Sequence, residues 1–242
     1  MSDDFVKTAF DTVEDLHPDL QRYIRDLPGL GPCLIHPYVY SVPYFGPPEN
    51  RMLNKRYALK SERIAQARMD ENWSRFVVLH EKPYRANALA QIHYRIDNDE
   101  EYWSLVGDIW IHTENVFECR RFWKQFWHCD RPDRHMAMDA EDREALAAMP
   151  DLLTIYRGVI NAKGIPSYSW TLDPDVAYRI GSRPSNGTGS TVTVARGVIP
   201  KRRVLAYYSG RNEEEIVISR FRHVRNLTTE TRNRCRGGSK NA

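Results

Sequence analysis

The property that most limits the fold of this chain is a change of pattern at Pro150. Before Pro150, apolar residues recur at the spacing of amphipathic helices; after it, short β-branched and aromatic runs alternate with turns rich in Gly, Pro, Asn and Ser. Helices that precede strands, rather than alternating with them, favour the α+β class. With 242 residues, 41% of them hydrophobic, the chain can bury one large core or two smaller ones.

Hydrophobic spacing and turn residues predict the individual elements. The predicted helices cover residues 5–25 with a break at His17-Pro18, 54–80, 86–96, 105–129 as one long helix with its aromatic residues in the core, and 139–149. The predicted strands cover residues 154–157, 168–171, 191–198, 204–208 and 215–220. Asp173-Pro174 predicts one further helix that ends at Gly181, followed by a mobile loop over residues 181–190.

Two segments differ from the rest in composition. Residues 32–48 contain five prolines among tyrosines, which excludes a helix interior and indicates an extended segment, either packed as an irregular loop or exposed to dock a partner. Residues 220–242 carry seven basic side chains and one acidic side chain, so the remainder of the chain is slightly acidic. We interpret this basic end as a solvated strand edge with a frayed terminus, and nucleic-acid contact is the alternative.

The sequence argues against several classes of protein. Its longest apolar runs, of four or five residues, are too short to span a bilayer, and its acidic start does not resemble a secretory signal, so a cytoplasmic protein is predicted. The four cysteines lack metal-ligand spacing and predict free thiols. The motifs GxxxxGK[ST], GxGxxG after a strand, HExxH and GxSxG do not occur, which removes the main support for kinase, Rossmann, zincin and hydrolase functions.

Three polar features stand out after Pro150: Tyr156-Arg157-Gly158, Ser169-Trp170-Thr171 and Glu213-Glu214-Glu215. Their order over residues 151–219 resembles the Arg, Ser-Thr-Ser and Glu-x-Glu signature of the cholera-toxin-like mono-ADP-ribosyltransferases, although Ser-Trp-Thr departs from the second motif. The stretch from Ile109 through the Trp-rich segment and residues 139–146 to Gly158 looks like the ADP-ribosyltransferase-like proteins of bacteria and their phages.

This resemblance implies an ADP-ribosyltransferase-type split mixed β-sandwich over residues 101–242. It leaves residues 1–100 as a mainly helical region of unassigned role. The implied activity is transfer of ADP-ribose from NAD⁺ to a protein side chain, with arginine favoured by the Glu-x-Glu pattern, and release of nicotinamide. NAD⁺ is then a substrate and no metal is required. The implied setting is that of a toxin or effector in the cytoplasm of a bacterial cell or of a host cell.

The chemistry of the reaction accounts for the two glutamates and the serine. Loss of nicotinamide passes through a ribosyl oxocarbenium-like transition state, which a fixed carboxylate stabilises. The resemblance gives this role, and contact with the ribose 2′-hydroxyl, to Glu215, whose rotamer Ser169 fixes by a hydrogen bond. Because alternate residues of a strand share a face, Glu213 is expected beside Glu215, where it would orient and deprotonate the acceptor.

The remaining candidates concern NAD⁺ binding and the acceptor. Arg157 offers a planar, permanently charged fork for the diphosphate or ribose, and Gly158 allows close approach of the nicotinamide amide. Thr171 shares the face of Ser169 and is a further candidate to bind the cofactor. Two segments also resemble family loops: the turn containing Tyr208, Arg211 and Asn212 resembles an acceptor-recognition turn, and residues 181–190 with Arg183 resemble a loop that closes over phosphate and nicotinamide.

Other interpretations of these residues stay open at this point. The three glutamates suit a solvated hairpin edge, Arg157 a solvated strand end, and Tyr208 a packed hairpin tyrosine. The same site could hydrolyse NAD⁺ with water as the acceptor. The fold could also serve as a catalytically inactive binding module, or the acceptor could be a nucleic acid bound through the basic end.

Overall fold

The computed structural model describes residues 14–113, 116, 118–183 and 191–233. These residues form two compact units. Unit 1 contains residues 14–97 with 112–113, and unit 2 contains residues 98–111 and the described residues from 116 onward. Both units combine helices with a sheet, so the α+β class is confirmed. No helix in the described ranges combines the length and apolarity that a bilayer crossing requires.

Unit 1 contains a small antiparallel sheet and a group of helices. Its strands are β1 (Ile24–Leu27), β2 (Gly31–Ile35) and β3 (Tyr40–Ser41), in the order β1-β2-β3. Its helices are α1 (Pro18–Gln21), α2 (Pro47–Met69), α3 (Trp73–Val78) and α4 (Arg85–Ile92), with 3₁₀ turns at Lys82–Tyr84 and His93–Arg95. Leu20, Leu34 and Leu53 belong to its buried core.

Several predictions for unit 1 need correction. The helix predicted over 5–25 is wrong in its described part, because only Pro18–Gln21 is helical and Ile24 begins a strand; residues 5–13 lie outside the described ranges. The helix predicted over 54–80 is interrupted at Glu71, whose φ of 52° ends α2. Within residues 32–48, Tyr38 and Tyr44 pack against the core, so this segment is packed rather than an exposed arm.

Unit 2 consists of helices before residue 150 and a six-stranded sheet after it. Its helices are α5 (Asp99–Ile111), α6 (Arg120–Trp127), α7 (Ala140–Ala148) and α8 (Pro174–Gly181), with 3₁₀ turns at Arg134–Ala137, Ala162–Gly164, Lys201–Arg203, Gly210–Asn212 and Phe221–His223. Its strands are β4 (Leu152–Val159), β5 (Ser169–Thr171), β6 (Thr191–Pro200), β7 (Val204–Tyr208), β8 (Glu215–Ile218) and β9 (Arg225–Asn233). Their order is β7-β8-β5-β4-β6-β9, and every neighbouring pair is antiparallel.

The single helix predicted over 105–129 is wrong. Helix α5 ends at Ile111 and α6 begins at Arg120, and both contribute to one buried aromatic cluster. The rings of Trp110 and Trp123 meet edge to face at 4.8 Å, and those of Trp103 and Trp127 stack at 6.0 Å. The aromatic residues therefore form core as predicted, but they reach it from two helices.

The basic end of the chain contains a strand that the sequence patterns do not predict. Strand β9 pairs with β6 at one edge of the sheet, and its side chains are almost all exposed. The sequence does not predict this strand, because its residues are mostly Arg, Asn, Thr and Glu. Such residues suit an edge strand but show no alternation of apolar and polar side chains. Its described part fits the interpretation as a solvated strand edge, whereas residues 234–242 lie outside the described ranges.

Helix α8 lies in very close contact with strands β4 and β6. Asp173 caps it by accepting hydrogen bonds from the amides of Asp175 at 2.7 Å and Val176 at 3.3 Å, and the prediction of a helix ending at Gly181 is confirmed. A Cβ atom on Gly158 would lie 1.8 Å from the carbonyl oxygen of Ala177. Gly158 is therefore needed so that the backbone of α8 can approach β4.

We predict that Gly158→Ala lowers the free energy of unfolding of unit 2 by at least about 2 kcal/mol, because the new methyl group meets backbone that cannot move aside. Urea unfolding followed by near-UV circular dichroism suits this measurement, since Trp73 alone of the six tryptophans lies in unit 1. Gly210→Ala is the matched control, because a Cβ there has no neighbour within 4 Å. Equal effects of the two substitutions would contradict the packing argument.

Candidate functional site

The register of the sheet brings the three predicted motifs to one place. Strand β5 lies between β4 and β8, with Thr171 opposite both Tyr156 and Glu215. A hollow at this point encloses about 30 Å³, which is room for a water molecule but not for a dinucleotide. Six of the predicted site residues line it: Arg157, Gly158, Ser169, Thr171, Glu213 and Glu215.

Ser169 and Glu215 are joined by a short hydrogen bond. The Ser169 hydroxyl donates to Oε1 of Glu215 over 2.6 Å, a length typical of a hydroxyl bound to a carboxylate. Ser169 opens β5 and Glu215 opens β8, so the strand pairing fixes both backbones. This bond holds the Glu215 carboxylate in one orientation at the wall of the hollow.

Arg157 is a partly buried cation that binds backbone carbonyls. Its Nε donates to the carbonyl of Gly164 at 2.8 Å, and its Nη1 donates to the carbonyl of Ser169 at 2.7 Å. Burial lowers the pKa of Arg157 to about 10, and the negative charge of Glu215 opposes that shift. Arg157 therefore stays protonated at neutral pH and fixes both ends of the segment that leads to Ser169.

Glu213 lines the hollow, but its position there does not follow from strand alternation. Strand β8 begins only at Glu215, and Glu214 has a left-handed φ of 42°, so the expected regular alternation from Glu213 to Glu215 is wrong. Glu213 instead follows the 3₁₀ turn Gly210–Asn212 and is 7% exposed. Its Oε1 accepts from Nη2 of Arg183 at 2.5 Å, and Glu214 is exposed.

Thr171 positions Glu213 through the backbone. Its hydroxyl donates to the carbonyl of Glu213 at 2.6 Å and accepts from the amide of Asp173 at 3.2 Å. Ser169, Trp170 and Thr171 all line the hollow, and the ring of Trp170 also stacks on Phe221. The Thr171 hydroxyl thus links the turn before β8 to the start of α8.

Of the predicted acceptor-recognition residues, Tyr208 and Asn212 do not line the hollow. Tyr208 is buried, and its hydroxyl donates to the carbonyl of Ala137 at 3.0 Å, so its side chain belongs to the core. Asn212 lies on an exposed turn, where its carbonyl accepts from Arg179 at 2.9 Å. The side chain of Arg211 and residues 184–190 of the predicted loop lie outside the described part of the chain.

One buried carboxylate that supports the site was missed in the sequence. Oδ1 of Asp142, on α7, accepts from the amide of Ser209 at 2.9 Å and from its hydroxyl at 2.7 Å. These bonds fix the start of the turn that carries Glu213. No local pattern could have revealed this role, because Ser209 lies 67 residues further along the chain.

The polar groups of the hollow suit an electrophilic substrate. The hollow combines two carboxylates with a guanidinium and the hydroxyl residues Ser169 and Thr171. Such a set can stabilise positive charge that develops on a sugar and can accept a proton from a nucleophile. Among residues 14–183 and 191–233, apart from the few undescribed positions near 115, no three His, Cys, Asp or Glu side chains come together as metal ligands.

We predict that Thr171→Val lowers the unfolding free energy of unit 2 by about 1–3 kcal/mol, because it leaves the Glu213 carbonyl and the Asp173 amide without their buried partner. Amide hydrogen exchange should also accelerate at residues 213–215. Thr171→Ser keeps the hydroxyl and should retain slow exchange there. Similar exchange in both variants would mean that the hydroxyl does not hold the turn.

Comparison with models of protein families, with curated proteins and with solved structures finds no match to this chain.

Proposed function

We propose that this chain is an NAD⁺-dependent mono-ADP-ribosyltransferase, with unit 2 as an ADP-ribosyltransferase-type β-sandwich, and that it modifies a protein arginine. The observation that carries the proposal is the hydrogen bond from Ser169 to Glu215, beside Arg157. Arg157, Ser169 and Glu215 come from three separate strands and line one hollow. A glutamate held by a serine at the wall of a hollow, next to a partly buried cation, suits cleavage of a positively charged glycosidic bond.

The reaction uses the two carboxylates in different steps. The bond between ribose C1′ and the nicotinamide nitrogen breaks, and its electron pair leaves with nicotinamide, which becomes neutral. Glu215 stabilises the positive charge that develops on the ribose. A nitrogen of the acceptor guanidine then forms the new bond to C1′, and its proton passes to Glu213. Arg157 keeps Ser169 in place and adds positive charge near the bound diphosphate.

NAD⁺ exceeds the hollow of about 30 Å³, so its binding requires that the walls of the hollow move apart or that most of the dinucleotide lie outside it. Arg183 forms an ion pair with Glu213, and the Arg183 side chain is 47% exposed whereas that of Glu213 is 9% exposed. Loss of Arg183 alone would deprive a buried carboxylate of this cation, which is costly.

NAD⁺ hydrolysis is the second candidate. Glu213 and Glu215 both line the hollow, which has room for a water molecule. A water held there would replace the guanidine nitrogen as nucleophile and give free ADP-ribose. The arrangement of catalytic residues is the same for both reactions, so product analysis separates them.

We predict that Glu215→Gln lowers the rate of nicotinamide release about 10²–10³-fold, because it removes the charge that stabilises the transition state. The protein is incubated with labelled NAD⁺ and with bacterial or eukaryotic lysate, and both modified proteins and free ADP-ribose are measured by mass spectrometry. Glu214→Gln is the matched control, since Glu214 is adjacent but exposed, and it should stay within about twofold of the wild type. Absence of turnover in the wild type would favour an inactive binding module, whereas equal turnover in the two variants would contradict the role given to Glu215.

We predict that Glu213→Gln separates transfer from glycosidic cleavage. Loss of the base should lower arginine modification about 10²-fold or more, within the range for removal of a positioned acid or base. Nicotinamide release should fall much less, because Glu215 remains. A parallel loss of both activities would show that Glu213 acts in the cleavage step.

A further inference from the structure

Unit 2 contains a second cavity that the proposed reaction does not use. It encloses about 190 Å³, and no residue lines both this cavity and the hollow at Glu215. Two arginines, Arg120 and Arg220, line it together with the rings of Tyr168 and Phe221. The cavity therefore combines two positive charges with two aromatic surfaces.

Several cations surround this cavity. Burial lowers the pKa of His128, whose ring lies 6.1 Å from that of Tyr168; a hydrogen bond with the backbone of Ser219 opposes this shift, and the charges of Arg220, Arg134 and Lys124 add to it. Burial raises the pKa of Tyr168, and Arg220 and Arg120 oppose that shift. An anion at this position is therefore attracted by several cations at once.

The aromatic walls are held in place by neighbouring rings. Phe221 stacks on Trp170 with centroids 6.2 Å apart and planes 13° apart, and Tyr168 contacts His128. Val116 and Pro166 add apolar surface, and Ser167 adds a hydroxyl. Since a cavity of about 150 Å³ accepts a benzene ring, 190 Å³ is sufficient for one ring of a ligand.

We propose that this cavity binds a nucleotide unit, with its phosphate between Arg120 and Arg220 and its base against Tyr168 or Phe221. Paired guanidinium groups bind phosphate oxygens in the plane of each fork, and every base offers a face for stacking on an aromatic ring. The Ser167 hydroxyl can donate or accept at the polar edge of a base. The bound nucleotide can be a free mononucleotide or the phosphorylated end of a nucleic-acid strand.

The full chain is titrated with AMP in calorimetry at low and high salt. We predict saturable binding at one site, weakened by salt, with the dissociation constant raised at least tenfold by Arg120→Gln and by Arg220→Gln. Arg225→Gln is the matched control, because Arg225 is an exposed arginine at the start of β9 outside the cavity wall, and it should change binding less than twofold. Glu215→Gln should also leave AMP binding unchanged, so this site and the proposed catalytic site can fail separately.

Further probes define the ligand. Adenosine and inorganic phosphate should each bind at least tenfold more weakly than AMP, because each lacks one half of the contact. A short oligonucleotide with a 5′-phosphate, compared with its 5′-hydroxyl form and with AMP, distinguishes the strand end from the free nucleotide.

Four results would overturn the proposal. The first three are no AMP binding, AMP binding that survives loss of both arginines, and tighter binding of phosphotyrosine than of AMP. The fourth is loss of AMP binding in Glu215→Gln, which would place the ligand in the other site. If Arg120→Gln lowers the midpoint of unfolding, AMP binding by Arg220→Gln alone decides the outcome, because Arg220 is exposed.

Discussion

The candidate site of unit 2 depends on the hydrogen bonds that Arg157 makes to the backbone. A guanidinium partly removed from water is stable only where its N–H groups find acceptors, and here the carbonyls of Gly164 and Ser169 supply them. These two bonds fix the ends of a segment without regular strand structure between β4 and β5. One end of that segment carries Ser169, which holds Glu215, and its middle forms the wall of the second cavity. The geometry of both sites therefore depends on one partly buried cation.

The two glutamates are positioned by independent means. Glu215 is fixed by strand pairing and by the Ser169 hydroxyl, whereas Glu213 lies outside the strand and is held through its backbone carbonyl by Thr171. Asp142 anchors the same turn from α7 through Ser209. The two carboxylates are therefore held at the hollow by different sets of hydrogen bonds. Two separately held carboxylates suit a reaction in which cleavage and transfer use different carboxylates at different steps.

Sequence patterns predicted those features that depend on neighbouring residues. The helix that begins after Asp173 followed from its cap, and the strands after Pro150 followed from β-branched runs between turns. Features decided by distant contacts were missed or wrong. One long helix was predicted where α5 and α6 meet across a shared tryptophan cluster, and Asp142 has its partner 67 residues away. The position of Glu213 depends on a left-handed Glu214, which residue alternation cannot express.

The shared wall also limits how a ligand in the second cavity could influence Glu215. Residues 166–168 face that cavity and Ser169 faces the hollow, so this short segment is one route between the two sites, and the stack of Phe221 on Trp170 is another. Since Arg157 binds both Gly164 and Ser169, the segment cannot move toward one site without stretching a hydrogen bond to this partly buried cation. Coupling requires two arrangements with different affinities, and along this segment the arginine disfavours a second arrangement. Any coupling of the two sites is therefore expected to pass through the stacked rings of Trp170 and Phe221 rather than through the backbone that Arg157 holds.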